Sequence, residues 1–339
     1  MSFKRLDPED ITISAEAIVA PAWSGQVTQL TAFFTASSQV ASSTGNYYYN
    51  IYQTASDAIG ATVQFAAAYG NRLGSGSENI NEIAGKSPSS ITYGQYRTLV
   101  NGDEDTDFTF GTITPNSIYV ISVNRSRYKE KLKPGTFNLT LTSGSNTLRL
   151  TDNSANLTTV SYVDSGRVYD IVSGSNGSAY TGLTTTGITP SSGSYGKFLP
   201  DVGIIVLNGE ALKAPAGAGG GLGAILNETN DSKTPSNLNL IYDMIKAGGN
   251  FSVSSEETVT SNFVFIRVRN SEFNYSTNPS NITGSGELRY DVMINNPQTY
   301  LTTVGLYNDN NDLLGVAKLS RPLLKDFTKE ALVRIKLDY

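Results

Sequence analysis

A two-residue hydrophobic period recurs along this chain, and it limits the fold to sheets. Successive side chains of an extended strand point to opposite faces, so alternating apolar and polar residues mark a strand with one covered face. Val333, Ile335, Leu337 and Tyr339 share one such face, while Arg334, Lys336 and Asp338 share the other. Leu288, Tyr290, Val292 and Ile294 alternate in the same way with Arg289, Asp291 and Met293. Val63, Phe65, Ala67 and Tyr69 form a third series. Phe137, Leu139 and Leu141 form a fourth, which continues past the Ser-Gly-Ser-Asn at 143–146 into Leu148 and Leu150 and predicts a hairpin. Residues 118–123 and 168–172 add further strands. Residues 202–207 and 263–268 are apolar on both faces, as expected of central strands covered on two sides. At least ten strands follow, so the expected class is mainly β: antiparallel sandwich-like modules with one short helix and extended arms or loops.

Helical spacing is scarce. Ser236 or Asn237 caps a run in which Leu238, Ile241, Met244 and Ile245 recur at helical intervals, and Gly248-Gly249 stops it. Shorter helical turns are expected near 7–10 and 325–330. The clearest break in texture is 214–231, which contains Ala-Gly-Ala-Gly-Gly-Gly-Leu-Gly and reads as a mobile loop or linker. A second Gly/Ser/Thr-rich zone, 173–195, reads as extended loops. The expected division is an N-terminal arm and first strand at 1–35, a β-rich domain at 36–213, a linker at 214–235 and a second β-rich domain carrying the helix at 236–339.

Composition narrows the chemistry. The 339 residues include no His and no Cys, which removes the neutral-pH proton shuttle, the usual nitrogen ligand and the thiolate nucleophile. No catalytic residue, cofactor or metal is expected. The net charge of −5 gives no general attraction for nucleic acid or an anionic membrane. Asp7, Glu9 and Asp10 interrupt the opening twenty residues where a signal peptide needs an apolar run, and no window is long and apolar enough for a membrane helix. The charged fraction, 16%, is low against roughly 25% in ordinary soluble domains. Ser, Thr, Asn, Gly and Tyr take up the difference, and such surfaces suit lasting contact with another subunit.

Several clusters invite a sharper reading. The glycines of 214–223 resemble a phosphate loop, but no Lys-Ser or Lys-Thr follows them. Asp103, Glu104, Asp105 and Asp107 have the alternating spacing of a calcium loop, yet Phe108 and Thr114 stand where such a loop needs Gly and Glu. A solvated acidic loop, or one that docks on a basic neighbour, fits better. Asn308, Asp309, Asn310, Asn311 and Asp312 lie between two strand-like runs and read as a hairpin turn. Arg125, Arg127, Lys129, Lys131 and Lys133 place a cation at every second residue, so one strand would carry five positive charges on one face. That is either an edge strand protected by charge or a docking face for an acidic partner, such as the 102–107 loop of a neighbouring copy. Tyr47, Tyr48, Tyr49 and Trp23 are either packing aromatics or interface anchors.

The motif Leu-Thr-Thr-Val-Gly-Leu-Tyr-Asn at 301–308, followed by Leu-Leu-Gly-Val-Ala-Lys-Leu at 313–319, resembles a pattern of phage tail-fibre and collar-fibre proteins. There an apolar-Thr-Glu-Ile-Gly-Leu-Tyr strand turns into a Leu-Ala-Val-Ala strand, with Glu often where this chain has Thr303. The longer pattern, from Phe-Lys-Arg-Leu-Asp-Pro-Glu-Asp-Ile-Thr-Ile at 3–13 to Leu-Leu-Lys-Asp-Phe-Thr-Lys-Glu-Ala at 323–331, resembles virion structural proteins of T4-like contractile-tailed phages, especially cyanophages. The resemblance implies a tail component near the baseplate or the fibre-attachment region, made in the host cytoplasm, without enzymatic activity. Its implied partners are other virion proteins and copies of itself. A receptor- or glycan-binding fibre module and a capsid decoration or neck protein share the composition and are the alternatives.

Overall fold

The computed structural model describes residues 4–36, 47–180, 194–216, 220–229, 236–276 and 278–338. Most of the Gly/Ser/Thr-rich zone at 173–195, and Tyr339, lie outside them. The chain is mainly β with antiparallel sheets, as its period predicts. It divides into two compact units, residues 18–257 (unit 2) and residues 1–17 with 258–339 (unit 1).

Unit 2 is built on one large antiparallel sheet. Its strands are β2 (Gln29–Leu30), β3 (Tyr48–Tyr52), β4 (Val63–Asn71), β5 (Ser117–Val123), β7 (Asn138–Ser143), β8 (Asn146–Asp152), β10 (Gly166–Ser175), β12 (Gly196–Leu199), β13 (Ile204–Asn208) and β14 (Asn250–Ser252). They run in the order β2-β14-β7-β8-β10-β12-β13-β5-β4-β3, and the short β9 (Ser161–Val163) and β11 (Ser178–Ala179) also pair with β10. The sheet curls. β4 and β14 lie near opposite ends of that order, yet the rings of Phe65 and Phe251 are 5.0 Å apart. Phe34, just after β2, exchanges two backbone hydrogen bonds with Tyr52 of β3, at 2.9 and 2.8 Å, and so ties the two ends together.

The inner face of the curl holds the main core. Trp23, Phe65, Phe137, Phe198 and Phe251 pack there with Ile241 and Ile245 of the predicted helix, which runs from Ser236 to Gly248. The outer face carries a smaller core under a helix that the sequence reading missed, α1 (Pro88–Asn101). Ser87 caps it, Pro88 opens it, and Gly102 closes it at φ 71°, a conformation glycine adopts without cost. α2 is the single turn Gly209–Lys213, α3 the helix Ser236–Gly248, and α4 the turn Val292–Asn295.

The glycine-rich stretch at 214–231 is not a linker between domains. It lies inside unit 2, and its described residues pack: Leu222 and Ala224 are buried in the main core, and Leu222 and Ala224 both donate a backbone hydrogen bond to Leu212, each at 3.1 Å. The absence of bulky side chains lets the backbone lie against α2. The chain instead passes between units within β1 (Ile11–Pro21) and within β15 (Ser254–Val268).

Unit 1 is a small two-layer structure. One layer is the sheet β1-β15-β18, with β18 at Ala331–Asp338; the end of β15 that lies in unit 2 pairs within that unit with the short β6 (Lys131–Leu132), at Ser255 and Glu256. The second layer is the hairpin β16 (Gln298–Tyr307) and β17 (Leu313–Asp326), turning at 308–312 as the Asn/Asp run predicts. Val264, Val333 and Ile335 are buried between the layers against Val304, Leu306, Ala317 and Leu319, and Leu6 joins them. β15 is half-buried rather than apolar-covered on both faces: Val264 and Val268 are buried, while Phe263 and Phe265 remain partly exposed.

Two local expectations fail here. The alternating residues 288–294 form no strand; the chain makes the single turn α4, and Tyr290, Val292 and Ile294 face solvent. Residues 325–330 form no helical turn, because Lys325 and Asp326 end β17 and the backbone turns directly into β18. The turn at Pro8–Asp10 is present and is capped by Asp7.

Candidate functional site

The residues singled out as contact candidates scatter. Trp23 is an internal anchor: its indole N–H donates to the Phe251 carbonyl at 3.1 Å, and its ring meets Phe251 edge-on at 4.9 Å. Tyr49 is also buried, donates to the Asn239 side chain, and packs edge-on against Tyr242 at 6.0 Å. Burial, aided by Asp243, pushes its hydroxyl pKa up to about 12. Tyr47 is half-buried, and only Tyr48, on the outer strand β3, faces solvent. The pleat of β3 puts Tyr48 and Tyr49 on opposite faces, so one is exposed and the other buried.

The basic run does not form one strand face. Asn124 accepts from the Ser126 backbone N–H and bends residues 125–127 into a single helical turn, so the two-residue period is broken before Lys129. Arg125 lies over the Tyr128 ring at 4.6 Å, Arg127 donates to Ser24, Lys129 pairs with Glu257 at 2.6 Å, and Lys131 pairs with Glu256 at 3.6 Å. These cations hold neighbouring segments of unit 2 together.

The acidic loop is likewise satisfied within the chain. Asp103 accepts from the Asp105 backbone N–H and from Thr106, which lowers its pKa. Asp107 bridges Arg72 at 2.7 Å and Arg97 at 3.2 Å. Burial opposes its ionisation, and the hydrogen bonds from the two guanidinium groups more than offset that, leaving the pKa lowered. Among the described residues no group of three or more acids is placed to hold a metal ion. No helix among them is long and apolar enough to cross a membrane.

What the fold does leave exposed on unit 1 is a set of apolar side chains on each of its two layers. On the outer face of the hairpin, Gly305 pairs with Val316 and Tyr307 with Leu313. A Cβ on Gly305 would lie 2.8 Å from the Tyr307 ring, so the absent side chain lets that ring lie across the strand. Val316 and Leu314 beside it are 61% and 70% exposed. On the sheet layer, β1 exposes Ile11 and Ile13, and β18 exposes Leu332. These residues were visible in the sequence as strand formers. What the period could not reveal is which of these apolar side chains would be left without a cover.

Comparison of the chain with protein families, with characterised proteins and with solved structures returns no match.

Proposed function

We infer that this protein is a structural component of a bacteriophage contractile tail, near the baseplate or the fibre-attachment region, and that it acts by assembly rather than catalysis. The observation that carries the reading is the exposed apolar surface of unit 1. On the hairpin Tyr307, Leu313, Leu314 and Val316 are neighbours in register and all exposed, and an apolar patch of this kind marks a contact site. The resemblance of 301–319 to a tail-fibre pattern falls on the very hairpin that bears Tyr307, Leu314 and Val316, which joins sequence pattern and surface at one place. Unit 2, with its large closed core, serves in this reading as the rigid body, and unit 1 as the part completed by neighbours. Symmetric repetition multiplies modest contacts into a stable ring or wedge. Gold labelling of the tagged protein in intact particles tests the reading: label at the tail base supports it, and label on the head, or none on any particle, overturns it.

A further inference from the structure

The two outer strands of the unit 1 sheet carry different protection. β18 alternates buried and exposed residues and presents Arg334 and Lys336 to solvent, the charged kind of edge that resists addition of another strand. β1 is eleven residues long, carries one charge, Glu16, has no Lys, and keeps its proline at the last position, Pro21. Within unit 1 its pattern is complete: Ile11, Ile13, Ala15 and Ala17 lie on one face, Thr12, Ser14 and Glu16 on the other. Ile11 and Ile13 are nevertheless 41% and 67% exposed. An apolar face fixes register wherever it is buried, and an unprotected edge with such a face is a template for one more strand.

We propose that the occupant of that edge is β1 of a second copy, paired antiparallel about a two-fold axis at Ser14. This deepens the assembly reading and rests on it. With Ser14 facing Ser14 of the second copy, Thr12 faces Glu16, Ile13 faces Ala15 and Ile11 faces Ala17. Both apolar faces then fall on the same side of one joined sheet. Glu16 meets a threonine hydroxyl instead of its own copy, so the one charge on the strand does not repel itself; a pairing centred on Glu16 would set two carboxylates opposite each other. The contact from Ile11 to Ala17 is roughly 23 Å long at about 3.3 Å per residue. That is seven residues a side, against roughly 20–30 in a standard stable interface. Pairing is therefore concentration-dependent in isolation and reinforced when symmetry repeats it.

The lack of native Cys makes the test clean. Directly opposed residues of an antiparallel pair have Cα atoms about 4.5–5.5 Å apart, within reach of a disulfide. In the full chain, Ser14→Cys should cross-link to its own copy under mild oxidation. Thr12→Cys and Glu16→Cys should each stay monomeric alone and give a mixed dimer together. Sedimentation should show a monomer–dimer equilibrium that Ile13→Lys weakens at least tenfold, with the circular dichroism unchanged. A chain that is monomeric up to its solubility limit, or Thr12→Cys linking to itself as fast as Ser14→Cys, overturns the pairing. So does β1 cross-linking in the particle to a different protein, although the tail assignment would then stand. A dimer linked through Ser14 in a chain that labels no tail keeps the pairing and removes the assignment.

Discussion

Units 1 and 2 are built from the same kind of strand and finish differently. Among the described residues, the main core of unit 2 gathers thirty-seven buried residues, with a second cluster of ten on the outer face of its sheet, whereas the apolar cluster of unit 1 holds three. Unit 1 leaves Tyr300, Tyr307, Leu314, Val316 and Leu332 exposed. Burial of apolar area is the main favourable term in folding, so unit 2 is the more stable body and unit 1 is left with surface to bury elsewhere. The difference teaches that alternation specifies a strand without specifying what covers it. Trp23, the one tryptophan, lies in unit 2, so its fluorescence follows that unit, whereas circular dichroism follows both. We expect the dichroism to begin falling at lower denaturant than the fluorescence. Coincident transitions would break the comparison and make the units one cooperative body.

The largest effect is expected at Phe251. It is fully buried and touches Trp23, Phe65 and Phe137 at ring distances of 4.9, 5.0 and 6.0 Å. Phe251→Ala should cost unit 2 about 4 kcal/mol through lost transfer energy and the cavity left behind. The fluorescence midpoint should fall accordingly, with the earlier dichroism phase unmoved.

Unit 1 has its own fixed point in Lys325. Its side chain is buried, and its three N–H donors meet the Asn270 carbonyl at 3.0 Å, the Asn274 side-chain oxygen at 2.6 Å and the Asp326 carbonyl at 2.7 Å. Lys325→Met keeps the stem and strands those oxygens, at a cost of about 3 kcal/mol. Only the early phase should shift. A shift of the fluorescence transition instead would place the support of unit 2 in this lysine. Ile335→Val is the milder version, about 1 kcal/mol on the same phase.

Much of this layout was legible. The hairpin turn at 308–312, the helix Ser236–Gly248 and the half-buried strand β18 follow from period, turn residues and caps, because each is stated within a dozen or so neighbouring residues. α1 was not read, since of its apolar residues only Tyr93 and Val100 are buried and the stripe is too sparse; Ser87-Pro88 and Gly102 were the available signals. Residues 288–294 show the opposite failure, an alternation with no second strand beside it. At 125–133, the Asn124 side chain accepting from the Ser126 backbone N–H was enough to undo a regular charge pattern. Trp23 and Tyr49 turn out as packing aromatics for a related reason: they owe their burial to strands distant in the chain, and no local pattern records that.

The smallest effect sharpens the comparison by pH. In unit 2, Asp107 and Asp201 have lowered pKa values: burial opposes ionisation in each, and hydrogen bonds from Arg72 and Arg97, or from Arg167, outweigh it. A folded pKa below the unfolded value of about 3.9 means the stabilisation is present above pH 4 and is lost as pH falls through the folded value. Unit 1 also has lowered acids: Glu272 and Asp338, whose side chains are 33% and 49% exposed and screened by water, and the better buried Asp326, whose carboxylate accepts from the Thr328 hydroxyl. Acid should therefore erode both transitions, the fluorescence transition through Asp107 and Asp201 and the early dichroism phase through Asp326. Asp201→Asn, which removes the Arg167 pair at 2.6 Å, should cost about 1 kcal/mol at pH 7 and less at pH 3. An equal cost at both pH values would mean that the geometry of this contact, and not its charge, is what supports the sheet.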